Sequence, residues 1–272
     1  MTDSAAAAAE LLDAYTARRS MLPFSSRGSA FDLERAYAVE RELVSIRRAA
    51  GHETVGLKVG YANRAVWRAL KLKTLVWAHM YDDTVRFAET DPASLTVSQM
   101  LSPKIEPEMV FKLRAAIPAG VVDAADALGR VEWVALGFEI IDCVYPDWKF
   151  RPEDFVAAFG LHRALVVGAP IAVTDGNRAV LAAALPTFTV SLSRDGASIA
   201  SGSGKNSLGS PALCLIELAA AVAASPDRTA LGAGSLVSSG TLTESQPMAP
   251  GQTWRAEVSG LDLPALSLKI VG

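Results

Sequence analysis

The sequence predicts an α+β fold. Helical patterns gather at the amino end, short strand patterns dominate from about residue 55, and the two do not alternate regularly. A doubly wound parallel sheet needs strand–helix alternation and is disfavoured. The 272 residues are 50% apolar and 20% charged, enough for a large core without disulfides. No internal repeat is present and no linker divides the chain. It is therefore expected to form a single domain, 1–272, with a helical amino-terminal region over 1–54 and a strand-rich core over 55–272.

Element by element, Asp3 or Ser4 can cap a first helix over Ala5–Arg19, where the alanines favour helix. Leu22–Gly28 reads as a loop. Asp32 can cap a second helix whose Ala36, Val39, Leu43 and Ile46 make one apolar stripe, with Gly51 as its stop. Asn63 can open a short helix through Leu70. Val55–Gly60, Lys104–Leu113 and Val134–Val144 are β-branched or aromatic runs bounded by Gly and Pro, the mark of strands. Thr187–Ser193 alternates Phe188, Val190 and Leu192 with polar residues, and Asp195-Gly196 offers a hairpin turn into Ala197–Ala200. Ser210 and Pro211 begin a helix running to about Ala224. Thr253–Val258 and Ala265–Val271 read as closing strands.

Several function classes are disfavoured. A net charge of −3 and no Lys/Arg run argue against nucleic acid as a partner. No stretch holds the ~18 uncharged apolar residues of a membrane span, and Met1–Glu10 lacks the pattern of an export signal, so a cytoplasmic protein is expected. Cys143 and Cys214 show no metal-ligand or disulfide spacing. Gly202-Ser203-Gly204-Lys205-Asn206 lacks the first glycine and the final Ser/Thr of a phosphate loop, and no serine sits in a Gly-x-Ser-x-Gly context.

The chemistry-bearing residues are acidic. Glu106 and Glu108 in Lys104-Ile105-Glu106-Pro107-Glu108 would share one strand face, where two carboxylates repel unless a proton or cation lies between them. Glu139 stands inside the apolar run Trp133–Ile141, where a buried carboxylate needs a partner, either a basic side chain or a metal shared with the other two. Three carboxylates without a His or Cys cluster make an all-oxygen site suited to Mg²⁺ or Mn²⁺. Asp142 falls on the opposite strand face and is a weaker ligand candidate. Lys58, in the apolar run Val55–Gly60, is either a snorkelling edge lysine or a proton carrier. His79 and His162 each lie beside glycine or aromatic residues and are either structural or part of a site.

The ordered set Gly56-Leu57-Lys58-Val59-Gly60, Lys104–Glu108, Gly137–Asp142, Gly202–Pro211 and Ser239-Gly240-Thr241-Leu242-Thr243 resembles the fumarylacetoacetate hydrolase superfamily. Within it, the likeness is to the branch of 2-keto-4-pentenoate hydratases and 4-oxalocrotonate decarboxylases, over about Leu33 to Leu261. The resemblance implies a mixed β-roll core and a divalent metal on Glu106, Glu108 and Glu139. It also implies Lys58 as acid/base, and Ser239 and Thr243 as contacts to the substrate carboxylate. The implied substrate is a small 2-oxo or 2-hydroxydienoic acid from aromatic breakdown, and the family commonly forms homo-oligomers. Two polar segments usual in the hydratases are replaced here by Trp77–Tyr81 and Ala158–His162. Three reactions therefore stay open: hydration of a 2-hydroxydienoate, decarboxylation of a 2-oxo-3-enedioate with His79 or His162 facing the far carboxylate, and C–C hydrolysis of an acylpyruvate.

Overall fold

A computed structural model of the chain describes residues 3–28, 30–225 and 231–272. Its helices are α1 (Ser4–Thr16), α2 (Leu33–Ala49), α3 (Arg64–Leu70), α4 (Ala124–Leu128), α5 (Pro152–Ala157), α6 (Arg178–Ala184) and α7 (Pro211–Ala224). The first strands are β1 (Thr54–Gly60), β2 (Val76–Tyr81), β3 (Val85–Phe87), β4 (Ala93–Thr96), β5 (Pro103–Leu113), β6 (Val131–Asp142) and β7 (His162–Val167). Then come β8 (Ile171–Ala172), β9 (Thr189–Arg194), β10 (Ala197–Ser203), β11 (Leu236–Thr241), β12 (Gln246–Pro247), β13 (Thr253–Ser259) and β14 (Leu266–Val271).

The strands form two mixed sheets. The larger runs β2-β1-β11-β5-β6-β7-β3, with β12 beside β5 and β8 beside β6. The smaller runs β10-β9-β13-β14-β4. Most pairs are antiparallel, but β1 runs parallel to β11, β3 to β7 and β4 to β14. The main core joins the large sheet's Leu57, Met109, Phe111, Phe138 and Val237 to Trp254, Leu268 and Val190 of the smaller one and to Leu215 and Leu218 of α7. Gly204–Ala224 is long and apolar enough to cross a membrane by length and composition alone, but Cys214, Leu215, Leu218 and Val222 are buried in that core.

The amino-terminal helices cover the other side. Asp3 Oδ1 accepts from the Ala5 N–H at 3.1 Å and Asp32 Oδ1 from that of Arg35 at 3.0 Å, so both predicted caps form. α1 ends at Thr16, short of Arg19. Its Leu11 and Ala14 pack with Val39 and Leu43 of α2, Phe155 and Val156 of α5, and Val76 and Ile141 of the sheet. The buried face of α2 is Ala36, Val39, Glu40, Leu43 and Val44; Ile46, predicted on that stripe, is 37% exposed. The reason lies at β2, an outer strand of the large sheet. Tyr37 Oη accepts from its Trp77 N–H and Glu40 Oε1 from its His79 N–H, so two α2 side chains satisfy backbone donors that a missing neighbour strand leaves open. A glutamate on the buried face thus has a hydrogen-bonding task, and the helix is rotated to deliver it.

Candidate metal centre and substrate cavity

The site is made by strand register. β5 and β6 pair so that Glu106 faces Glu139 and Glu108 faces Gly137. Side chains two residues apart share a face, so all three carboxylates project from one side of the large sheet. β11 brings Ser238 opposite Val110, and β1 brings Lys58 opposite Ser238, which adds both to the same side. One oxygen from each glutamate lies within 4.8 Å of one from each of the others. Glu139 is fully buried and Glu108 and Lys58 nearly so, while Glu106 keeps 9% exposure.

Each carboxylate has a distinct support. Glu108 Oε2 accepts from Ser238 Oγ at 2.5 Å and from the Gly240 N–H at 2.9 Å. A register shift between Ser238 and Thr241 turns that N–H inward. Gly240 has φ +88°, and a Cβ there would meet Ala62 Cβ at 2.7 Å, so the position demands glycine. Glu139 lies between Lys58 Nζ, 3.0 Å from Oε2, and His162 Nδ1, 2.9 Å from Oε1. Lys58 Nζ also donates to the Gly160 carbonyl at 2.9 Å and sits 4.8 Å from the centre of the Phe155 ring. Gly160 is the middle of three successive left-handed residues, Phe159, Gly160 and Leu161. This turn aims its carbonyl at the ammonium, and a Cβ on Gly160 would approach Lys58 Cδ to 2.8 Å.

Burial, then repulsion from Glu108 on Glu106 and from Glu139 on Glu108, pushes both carboxyl groups up to about 8. Glu139 is raised for the same first reason, against the pull of Lys58. Burial lowers the Lys58 ammonium, but Glu139, Glu106 and Glu108 together outweigh it and hold the group above its ordinary value. His162 is driven down to about 3 by burial and by the nearby Lys58 charge, and stays neutral.

The acidic cluster opens onto a cavity of about 550 Å³. Lys58, Glu106 and Glu108 are among its lining residues. Tyr61, Val66, Trp148, Phe150, Phe155 and Leu161 make apolar walls, while Asn63, Asn206, Thr241, Thr243, Glu244 and Ser245 add polar groups. Lys58 is the sole basic residue among these lining residues.

The predicted site residues do not all converge. Glu106, Glu108, Glu139 and Lys58 do, and Thr243 lines the cavity with Oγ1 donating to the Glu244 carbonyl at 3.1 Å. His79 does not. It pairs opposite Leu57, so its ring leaves the other face of the sheet from Lys58 and bonds Glu40 through Nδ1 at 2.6 Å. Ser239 does not either, because in β11 it alternates with Ser238; its buried Oγ has no hydrogen-bond partner, and Ser238 is the serine on the acidic face. His162 touches Glu139 but lies outside the cavity lining, which removes it from the far end of a substrate. Asp142 accepts from the Leu101 and Ser102 N–H groups, closing a turn away from the cluster. Sequence reasoning missed Ser238, Gly240, Gly160 and Thr84. Gly240 lies in the Ser239–Thr243 segment and Ser238 just before it, but the strand's facing could not be read from the sequence.

No family model matches the chain. Among curated proteins, it is 30% identical over 254 residues to a 4-oxalocrotonate decarboxylase of a Pseudomonas species, covering 93% of each. It is 27% identical over 251 residues to a 2-hydroxyhexa-2,4-dienoate hydratase of Comamonas testosteroni, covering 92% of each. Its fold matches the structure of 4-oxalocrotonate decarboxylase from Pseudomonas putida G7, complexed with magnesium and adipate, with a TM-score of 0.86 at 23% identity over 98% of this chain and 97% of that one. A more distant fold match is a fumarylpyruvate hydrolase from Pseudomonas aeruginosa in complex with Mn²⁺ and pyruvate, with a TM-score of 0.55 at 17% identity over 79% of this chain and 88% of that one. The chain belongs to the family of the 4-oxalocrotonate decarboxylases and 2-hydroxydienoate hydratases, which are enzymes, and it has the fold of fumarylacetoacetate hydrolase-type structures.

Proposed function

We propose that this chain is a divalent-metal-dependent hydratase that adds water to a 2-hydroxydienoate in aromatic-compound breakdown, working in the cytoplasm as a homo-oligomer with the whole chain as one catalytic domain. The observation that carries the reading is the convergence of Glu106, Glu108 and Glu139 beside Lys58, with Lys58, Glu106 and Glu108 lining a cavity. These residues fit Mg²⁺ or Mn²⁺. The donor set is all oxygen, Glu108 Oε1 is buried without a hydrogen-bond partner, and three carboxylates at such short range need a cation or protons between them. Once bound, a divalent cation supplies Lewis acidity for the C1 carboxylate and 2-oxo oxygen of the substrate.

The chain's own groups account for the rest. Lys58, held by Glu139, the Gly160 carbonyl and the Phe155 ring, is fixed where it can give a proton to the conjugated chain and take one back. Tyr61, Phe150 and Phe155 exclude bulk water around the diene. Asn63, Asn206 and Thr243 are the polar groups available to orient the added water.

Hydration is preferred because Lys58 is the sole cation lining the cavity: a second carboxylate at the far end of a substrate would meet aromatic faces and neutral amides. Decarboxylation of a 2-oxo-3-enedioate is the second reading, favoured by the 30% identical relative of that name. Nothing favours acylpyruvate hydrolysis, since the His of the Glu139–His162 pair does not line the cavity. The test is product analysis by NMR with 2-hydroxypenta-2,4-dienoate and with 2-oxo-3-hexenedioate, each with Mn²⁺ and with chelator. Metal-dependent 4-hydroxy-2-oxo acid from the monoacid is expected. CO₂ release from the diacid, with no hydration of the monoacid, would establish the decarboxylase instead.

A further inference from the structure

We propose that His162 is a positioning residue that orients Glu139 for cation binding, and that Thr84 in turn sets the histidine ring. The proposal rests on the reading above that Glu139 is a metal ligand. The His162 side chain is 1% exposed, and its Nδ1 lies 2.9 Å from Glu139 Oε1. Its Nε2 lies 2.9 Å from Thr84 Oγ1, in the turn between β2 and β3. Both ring nitrogens are therefore engaged, and neither faces the cavity. A neutral imidazole carries one N–H. For Glu139 to act as an ionised ligand, that proton must sit on Nδ1 and be donated to the carboxylate. Nε2 is then the acceptor, and the Thr84 hydroxyl, whose one proton is also within 2.9 Å reach of the Tyr81 carbonyl, must turn to donate to it. Thr84 is itself fixed, because its Oγ1 accepts from the Tyr81 N–H at 3.1 Å. The chain Tyr81–Thr84–His162–Glu139 thus ties a backbone amide at the end of β2 to a carboxylate in β6. Lys58 holds the other oxygen of the same glutamate, so the two contacts together allow it one orientation.

Groups that orient a metal ligand from behind commonly change metal affinity 10–100-fold when removed. The test is Mn²⁺ binding, followed by the EPR signal of free Mn²⁺ in the full-length protein without substrate. His162→Ala is expected to weaken binding at least 10-fold. His162→Asn, whose amide nitrogen can stand in for Nδ1–H, should recover most of the loss. Thr84→Val should weaken binding several-fold, while Thr84→Ser stays near wild type. Glu106→Gln is the control for the underlying reading: if it too binds Mn²⁺ like wild type, the metal centre itself is wrong. If Glu106→Gln loses binding while His162→Ala and Thr84→Val bind Mn²⁺ as wild type, the metal centre stands and the positioning role is overturned. Should His162→Ala not fold, equal affinities for Thr84→Val and Thr84→Ser would still overturn it.

Discussion

Glu139 and Lys58 are both buried and form a direct ion pair at 3.0 Å, so removing either takes away the partner that most offsets the other's burial. Their variants nonetheless separate. Glu139→Gln keeps the volume and one acceptor but loses the negative charge; it should abolish activity and weaken Mn²⁺ binding by orders of magnitude while the circular dichroism spectrum is retained. Normal Mn²⁺ affinity in that variant would exclude Glu139 as a ligand. Lys58→Ala removes the proton carrier and leaves all three carboxylates. kcat should fall 10²-fold or more, the usual scale for general acid–base groups, with Mn²⁺ affinity preserved or improved; a change confined to KM would exclude that role. At this scale much was legible. A glutamate inside an apolar run and a lysine inside another are costly enough to announce a purpose. What the sequence could not show is parity: Ser238 and Ser239 are chemically identical neighbours, and only the pairing of β11 with β1 and β5 decides which reaches Glu108. His79 failed for the same reason, since its facing depends on which residue of β1 it meets.

Among the elements, the left-handed turn Phe159–Leu161 matters most. Two of its three residues carry side chains in a conformation that costs of order 1 kcal/mol or more each, and the surroundings must hold it. What it delivers is the Gly160 carbonyl at Lys58. Gly160→Ala forces either the ammonium stem or Ala78 to move, because the new methyl would lie 2.8 Å from Lys58 Cδ and 3.0 Å from Ala78 Cβ. We expect a loss of about 1–3 kcal/mol in urea unfolding and a fall in kcat exceeding that of a stability-matched core variant such as Val156→Ala. Equal effects on kcat would show the turn to be packing alone. The sequence carries Gly160 in plain view, yet nothing local distinguishes a glycine needed for contact from one needed for a turn. Two of the elements that were missed, β11 and β2, lack the alternation of a strand with one dry face. Four of the six β11 residues are serine, glycine or threonine because it lines the acidic site, and β2 reads Val-Trp-Ala-His-Met-Tyr, buried on both faces and so without alternation. Elements with one dry face, such as α1, β9 and β13, were found.

Over the whole molecule, the acidic centre is an unfavourable thing to fold without a cation, and pH should reveal it. Glu106 and Glu108 ionise near 4.5 in the unfolded chain but are pushed up to about 8 in the folded one, first by burial and then by the carboxylates beside them. Below about pH 4.5 both states hold the protons and the pair contributes nothing to the difference. Between there and about pH 8 the folded state binds more protons than the unfolded state, so stability falls as pH rises. Above about 8 both states are ionised and the accumulated cost is constant. The metal-free protein should therefore lose Tm steadily from pH 5 to pH 8, and Glu106→Gln, which cannot ionise, should lose less. Mn²⁺ must displace those protons, so binding at pH 7 should release them, and the heat measured by calorimetry should depend on the ionisation enthalpy of the buffer. Affinity should rise towards pH 8, and the Tm gained from saturating Mn²⁺ should be larger at pH 8 than at pH 6. A Tm difference between wild type and Glu106→Gln that stays constant over this range, together with buffer-independent heats, would mean that the carboxylates are already ionised in the fold and that Lys58 alone balances them.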